Sequence, residues 1–324
     1  MEKSITFVLA LAASFSHIQC CGMSQRSATQ TTVRAETEIV DEWPKRIECN
    51  GIVLLRVPKG TRRIGTDNTR AGVGEGPAFV YTLDYVIYMA ETEITAKQFR
   101  SLMGTWARPI NQSRVYARPD FGDGYPDNLP AFGKWDVANE FCRRFEEILE
   151  DKTGWEWDCR LPKEAEWEYV ACFGRAKWED WWPRDEYLLE HEWYRENAWD
   201  DGVHAVAMKK PNVLGFYDML GNMEEWCDGR LADHEAVRLA CGGTVVESVE
   251  SIESAGIYNG RPTRGGNTLS DRDGCRPSKR GGWGTTTDTN GFRVVAIPVP
   301  PYCSTLLPFG ITESGDEDGG KEFE

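Results

Sequence analysis

Asp218 and Glu225 stand seven residues apart, with Gly221 and Met223 between them, in a stretch without helical or strand periodicity. Two carboxylates and two backbone carbonyls in one loop are hard oxygen donors of the kind calcium takes. The competing reading is that Asp218 caps a turn and Glu225 makes a salt bridge. Other chemistry is thinner. The ten cysteines include Cys49, Cys142, Cys159, Cys172, Cys227, Cys241, Cys275 and Cys303, and no C-x-x-C occurs, so zinc-ribbon and thioredoxin readings have no support. In an oxidising compartment several should pair, with connectivity left open. The four histidines, His17, His191, His204 and His234, form no H-x-x-x-H pair, and neither a Walker loop nor G-x-S-x-G is present. The glycine-rich run Ala71–Gly76 reads as a turn rather than a phosphate cradle.

The elements that must position these residues are few. Residues 52–57 read as a strand, with Pro58-Lys59-Gly60 as its turn, and Leu83 to Met89 as another. Thr95 is placed to cap a short helix carrying Phe99, Leu102 and Met103 on one face. Asp136 is placed to cap a second, with Val137, Phe141, Phe145, Ile148 and Leu149 at helical spacing. Pro162 suits the first turn of a third, which carries Trp167, Val170 and Ala171. From about residue 175 to Arg293 helical signals fade and Gly, Asn, Asp and Trp dominate; the aromatic content argues for a loop-built structure rather than disorder. Thirteen Trp supply a core that little regular structure is needed to build, and 32 Gly permit the connections. The expected class is α+β, irregular and loop-rich.

The formal net charge of −15 repels phosphate backbones and argues against nucleic acid as a partner; it favours cations or basic peptides, or serves solubility alone. Residues 1–22 read as a signal peptide: Lys3 precedes the apolar run Ile5 to Ala13, too short to span a bilayer. Cys20 and Cys21 leave lipid attachment open, although Ile18 and Gln19 make a poor cleavage site for it. Export to the periplasm, cell surface or medium is the expectation, with a lipid anchor as the only membrane contact. Residues 23–45 read as a linker, 46–300 as one domain and 301–324 as an acidic tail.

Four segments in order carry a resemblance: Glu91 to Phe99, Arg160 to Tyr169, Leu214 to Cys227, and the pair Arg264-Gly265-Gly266 and Gly291-Phe292-Arg293. Together they resemble the formylglycine-generating enzyme (sulfatase-modifying factor) family over residues 47–300. Physically, Trp167 and Tyr169 are expected to anchor a core, Arg160 to pair with an acid, and Gly265 and Gly266 to allow close backbone approach.

The resemblance implies a variant of the C-type lectin fold. It also implies calcium at Asp218, Gly221, Met223 and Glu225, and a second calcium near Asn197, Ala198 and Asp201. Fully active members oxidise a sulfatase cysteine to formylglycine at copper(I) held by two cysteines just after the Arg-Gly-Gly segment. Those positions correspond here to Ser270 and Cys275, and the family's serine after the glycine pair is Asn267. One thiolate and a hard hydroxyl do not supply the soft pair that copper(I) wants. The expectation is a binding or accessory protein for a peptide, glycan or protein ligand, with a sulfatase among the partners implied. The alternative is a formylglycine-generating oxidase with a changed site.

Overall fold

The computed structural model describes residues 43–68, 75–104, 125–173, 185–198, 202–229, 260–281 and 290–300. The expected signal peptide, the linker up to residue 42, the acidic tail and Asp201 lie outside them. The elements below all belong to the unit that runs from Pro44 onward.

A five-stranded sheet has the order β1-β2-β5-β9-β6. Its strands are β1 (Arg46–Cys49), β2 (Ile52–Arg56), β5 (Tyr88–Ala90), β6 (Trp157–Arg160) and β9 (Val295–Pro298). Every pairing in it is antiparallel. Two ribbons complete the β structure: β3 (Gly60–Ile64) with β4 (Phe79–Leu83), and β7 (Glu225–Trp226) with β8 (Thr263–Arg264). Five helices are described: α1 (Ala96–Met103), α2 (Trp135–Thr153), α3 (Glu164–Ala171), α4 (Asp185–His191) and α5 (Arg195–Ala198). This is the mixed, irregular α+β architecture expected.

The helix caps follow from chemistry at each start. The Thr95 hydroxyl accepts from Gln98 N, and Gln98 returns its side-chain oxygen to Thr95 N at 2.8 Å, a complete capping box. At α2, Asp136 sits inside the first turn rather than at the cap, because Lys134 occupies the cap position. Its carboxylate, next to the helix N-terminus, accepts from Val137 N. Pro162 likewise precedes α3, whose cap is Lys163; the Glu166 carboxylate accepts from the Lys163 amide at 2.8 Å. The expected strand from Leu83 to Met89 splits between β4 and β5, and Tyr85 in the break turns its hydroxyl to Glu166. α4 and α5 were not expected; at seven and four residues they are too short to show a period.

Helix α2 shields the edge strand. Among the described residues β6 pairs on one side only, with β9. On the other side Glu150 accepts from Trp157 N at 3.0 Å and Glu146 accepts from Cys159 N at 2.7 Å. Two side chains one helical turn apart thereby cover the unpaired amides that would otherwise invite another strand. Phe99 of α1, Phe141 of α2 and Phe292 stack beside this sheet at centroid distances of 5.3–6.4 Å.

Helix α3 is the hub of the loop-rich half, and all eight of its residues are buried. Arg160 donates to both oxygens of Glu166, at 2.8 and 2.6 Å. Arg264 donates to Glu164 at 2.8 Å and Glu168 at 2.9 Å, and Arg280 clasps Glu164 at 2.8 and 2.5 Å. Burial pushes the Glu164 carboxyl up, but the two guanidiniums more than offset it and hold it below the usual range. Trp167 and Tyr169 are buried in the principal apolar cluster with Phe216, Leu220 and Val295, the core role expected of them.

Candidate functional site

The loop 212–226 is set by backbone geometry first. Asp218 and Asn222 both adopt left-handed φ, +54° and +58°, which Asn and Asp tolerate better than other side-chain residues. Gly221 lies against Trp193, whose carbonyl occupies the space a Cβ would need. Asn222 then acts as a node. Its amide donates to Trp193 O at 2.7 Å, and its side-chain oxygen accepts from His204 N at 2.9 Å. Its side-chain NH2 donates to His204 O at 3.2 Å and Glu93 Oε2 at 3.3 Å.

Three buried carboxylates meet around this loop, and their partners differ. Glu225 is fully committed: Arg293 donates to Oε2 at 2.7 Å and Oε1 at 2.5 Å, and the Trp167 indole donates to Oε2 at 2.9 Å. Arg293, itself fully buried, also donates to the carbonyls of Ala90 and Tyr217, at 3.2 and 3.1 Å. Asp218 accepts from Ala207 N at 2.8 Å through Oδ2, while Oδ1 is buried without a hydrogen-bond partner. Glu93 Oε1 is likewise buried and unpartnered.

The charges follow from that arrangement. Burial pushes Glu93 well up, and the Asp218 and Glu225 charges push it further; Arg293 pulls the other way. Burial raises Asp218 to about 6, against the Ala207 hydrogen bond and Arg293. A carboxylate pair with one bare oxygen each is an electron-rich well that must hold a proton, a water or a cation. Among the described residues no three Asp, Glu, His or Cys side chains converge as a ligand group, so a cation here would need backbone carbonyls as well. Those of Gly221 and Met223 accept no hydrogen bond among the described residues.

Of the residues picked from sequence, Asp218, Gly221, Met223 and Glu225 therefore share one buried loop, with Glu225 taken by Arg293. Asn197, in the single turn of α5, bonds back along its own chain: its oxygen accepts from Tyr194 N and its NH2 donates to Glu192 O, each at 2.9 Å. Glu93, Asn222 and Arg293 escaped the sequence reading as site residues, although each lies inside a segment that carries the family resemblance. The signal that was missed is Glu93's place in the Glu91–Phe99 segment, which β5 brings alongside the Asp218 loop.

Ser270 and Cys275 occupy a second, tightly wound loop. The Ser270 hydroxyl accepts from Asn267 N at 3.0 Å and faces Asn267 Oδ1 at 3.4 Å; Asn267 Oδ1 also accepts from Leu269 N at 2.9 Å. Gly265 and Gly266 are left-handed, and a Cβ on Gly266 would stand 2.7 Å from Gly274 O. The Cys275 thiol is fully buried in the principal apolar cluster. Burial raises its pKa, and the nearby Glu192 and Asp271 add to the rise, so it stays protonated.

With this geometry in hand, the relatives are informative. The sulfatase-modifying factor enzyme 1-like domain matches residues 40–297. The chain belongs to that family. A curated sulfatase-modifying-factor relative, formylglycine-generating enzyme of Mycobacterium tuberculosis, is 30% identical over 43% of this chain and 52% of that enzyme, about half its length. Chaperone protein LppX of Paenibacillus barcinonensis is 28% identical over 51% of this chain and 71% of that protein. Among solved structures, PvdO from Pseudomonas aeruginosa superposes with a TM-score of 0.60 at 22% identity, covering 79% of this chain and 99% of PvdO, a likeness of fold.

Proposed function

We propose that this chain is a binding or accessory member of the sulfatase-modifying factor family rather than a copper oxidase, and that it works outside the cytoplasm on a peptide or protein partner. One observation carries the reading. At the position of the copper pair stands Ser270, its hydroxyl tied into its own loop through Asn267, opposite a Cys275 thiol enclosed in the apolar core. A neutral hard oxygen and a protonated, buried thiol do not match the demand of copper(I) for two soft thiolates. A relative bearing the name chaperone agrees with an accessory role. The leader-like residues 1–22 support export. The experiment is incubation of the full chain with a Cys-x-Pro-x-Arg peptide, copper(I) and oxygen, followed by mass spectrometry. The peptide should remain unconverted, and copper should not co-purify at one ion per chain. Conversion to formylglycine would return the chain to the oxidases.

The same reading gives the Asp218 loop a structural calcium. Asp218 Oδ1 and Glu93 Oε1, both buried and unpartnered, supply the charge, and the carbonyls of Gly221 and Met223 add two of the neutral oxygens that calcium needs. Glu225, held by Arg293, orients the loop from outside that set. The ion's contribution is charge: it neutralises two carboxylates that burial and mutual repulsion otherwise disfavour.

A further inference from the structure

Two buried thiols lie on facing elements, Cys142 on α2 and Cys159 on β6. Their relative height is fixed by the hydrogen bonds that cover the sheet edge. Cys142, Glu146 and Glu150 are spaced four apart and form one row on α2. Glu150 reaches Trp157 N and Glu146 reaches Cys159 N, so helix and edge strand run antiparallel and in step. The steps match because four helical residues rise about 6 Å and two strand residues about 6.6 Å. Helical side chains lean towards the helix N-terminus, so the Glu146 carboxylate meets β6 between the levels of residues 142 and 146. Cys159 therefore faces the turn of α2 between Cys142 and Glu146, within one helical turn of Cys142.

The surroundings leave room for a direct contact. The residue opposite Cys159 on β9 is Ala296, which is small and fully buried. Burial disfavours the Cys159 thiolate most, and the next largest contribution is the charge of Cys142, which places Cys159 in the field of Cys142. Cys49, another thiol beside α2, is turned to the Ile148 carbonyl at 3.7 Å, more than a helical turn further along.

We propose that Cys142 and Cys159 form a disulfide that staples α2 to the edge strand when the chain folds in the presence of a disulfide donor. Two exchange steps make it. One thiolate attacks the donor disulfide and releases one donor thiol; the second thiolate then attacks the mixed disulfide and releases the other. The new S–S bond costs the protein two protons and two electrons, and the donor is reduced to two thiols. Burial keeps both thiols protonated once α2 has docked, so the exchange belongs to folding, and the finished bond is shielded from external thiols.

The test uses the full chain, refolded from the reduced, denatured state in a glutathione redox buffer and quenched with acid. Free thiols are labelled under denaturing conditions with one alkylating agent, and those freed by reduction with a second. Cys142 and Cys159 should carry the second label together, and the unreduced digest should contain one peptide joining α2 to β6. First-label modification of both, or a link from Cys142 to any other thiol, overturns the proposal. As a second measurement, reductant should lower the Tm of the oxidised wild type, and Cys159→Ala should abolish that drop. An undiminished drop in the variant also overturns it; if the variant does not fold, the wild-type map alone decides.

Discussion

Arg293→Met tests whether the buried ion lattice, rather than helix content, holds this fold. The wild-type guanidinium is fully buried and saturates both oxygens of Glu225 as well as the carbonyls of Ala90 and Tyr217. Methionine fills similar space but leaves Glu225 charged and enclosed, with only the Trp167 indole as partner. Breaking a buried pair from one side costs about 3–5 kcal/mol. The two abandoned carbonyls add about 1–3 kcal/mol each before any relaxation. Relaxation and proton uptake recover part of this, so the expected loss is about 5 kcal/mol, a large share of the roughly 5–15 kcal/mol that stabilises a typical domain. At about 2–4 °C per kcal/mol for a chain of this size class, Tm should fall by roughly 10–20 °C. Urea unfolding followed by tryptophan fluorescence measures the loss. Adding Glu225→Gln, which keeps an oxygen for Trp167, should restore about 2 kcal/mol, because the stranded charge is then gone. The deficit should also shrink in acid. Arg293 pulls Glu93 and Asp218 down, so without it both are raised further, and groups raised in the folded state add stability at low pH that is lost as pH rises. A loss under about 1 kcal/mol in the single variant would refute the reasoning, since the desolvation of the pair would then cancel its attraction.

Calcium should raise the wild-type Tm, and Asp218→Asn or Glu93→Gln should each remove most of that rise; an unchanged rise in both would place the ion elsewhere. In calcium-free buffer, Asp218 has its folded pKa raised from 3.8 to about 6, so the stability it contributes is fully present below pH 3.8 and lost as pH climbs through 6. That window is worth about 3 kcal/mol, and Asp218→Asn should flatten it in a series of chemical unfolding curves. Gly221→Ala must push the Trp193 carbonyl aside and should destabilise by about 2–4 kcal/mol in the same assay; an effect under about 0.5 kcal/mol would mean that the loop adjusts freely.

The fold was legible where a few residues close in sequence suffice to read a local rule. Thr95 with Gln98 three residues later announces a capping box, and the spacing of Phe141, Phe145 and Leu149 gives the buried face of α2. The break between β4 and β5 was not legible, because Tyr85 leaves the strand for a carboxylate 81 residues away. Site residues divide in the same way. Asp218, Gly221 and Met223 can be read together as one loop because they are neighbours in sequence. Glu93 was missed because its closeness to Asp218 is made by tertiary structure, and Glu225 reads as a ligand until Arg293, 68 residues on, is seen to occupy it.

That contrast separates frame from function. Helix α3 presents Glu164, Glu166 and Glu168, and every one is answered by an arginine: Arg264 and Arg280, Arg160, and Arg264 again. A buried charge so matched specifies geometry and has no capacity left for a ligand. Glu93 and Asp218 are as deeply buried yet each keeps an oxygen with no partner, a cost a fold tolerates where something else supplies the partner. The segment after β5 and the loop before β7 are linked by the Tyr217 amide, which donates to Glu91 O at 3.0 Å, and through Asn222 and Arg293. A divalent cation between Glu93 and Asp218 would add a further tie across the same gap. It would couple the five-stranded sheet to the loop-rich half at Asn222, which together with Arg195 holds the Ser270 loop, through Thr268 N and through Ser270 O and Leu269 O respectively.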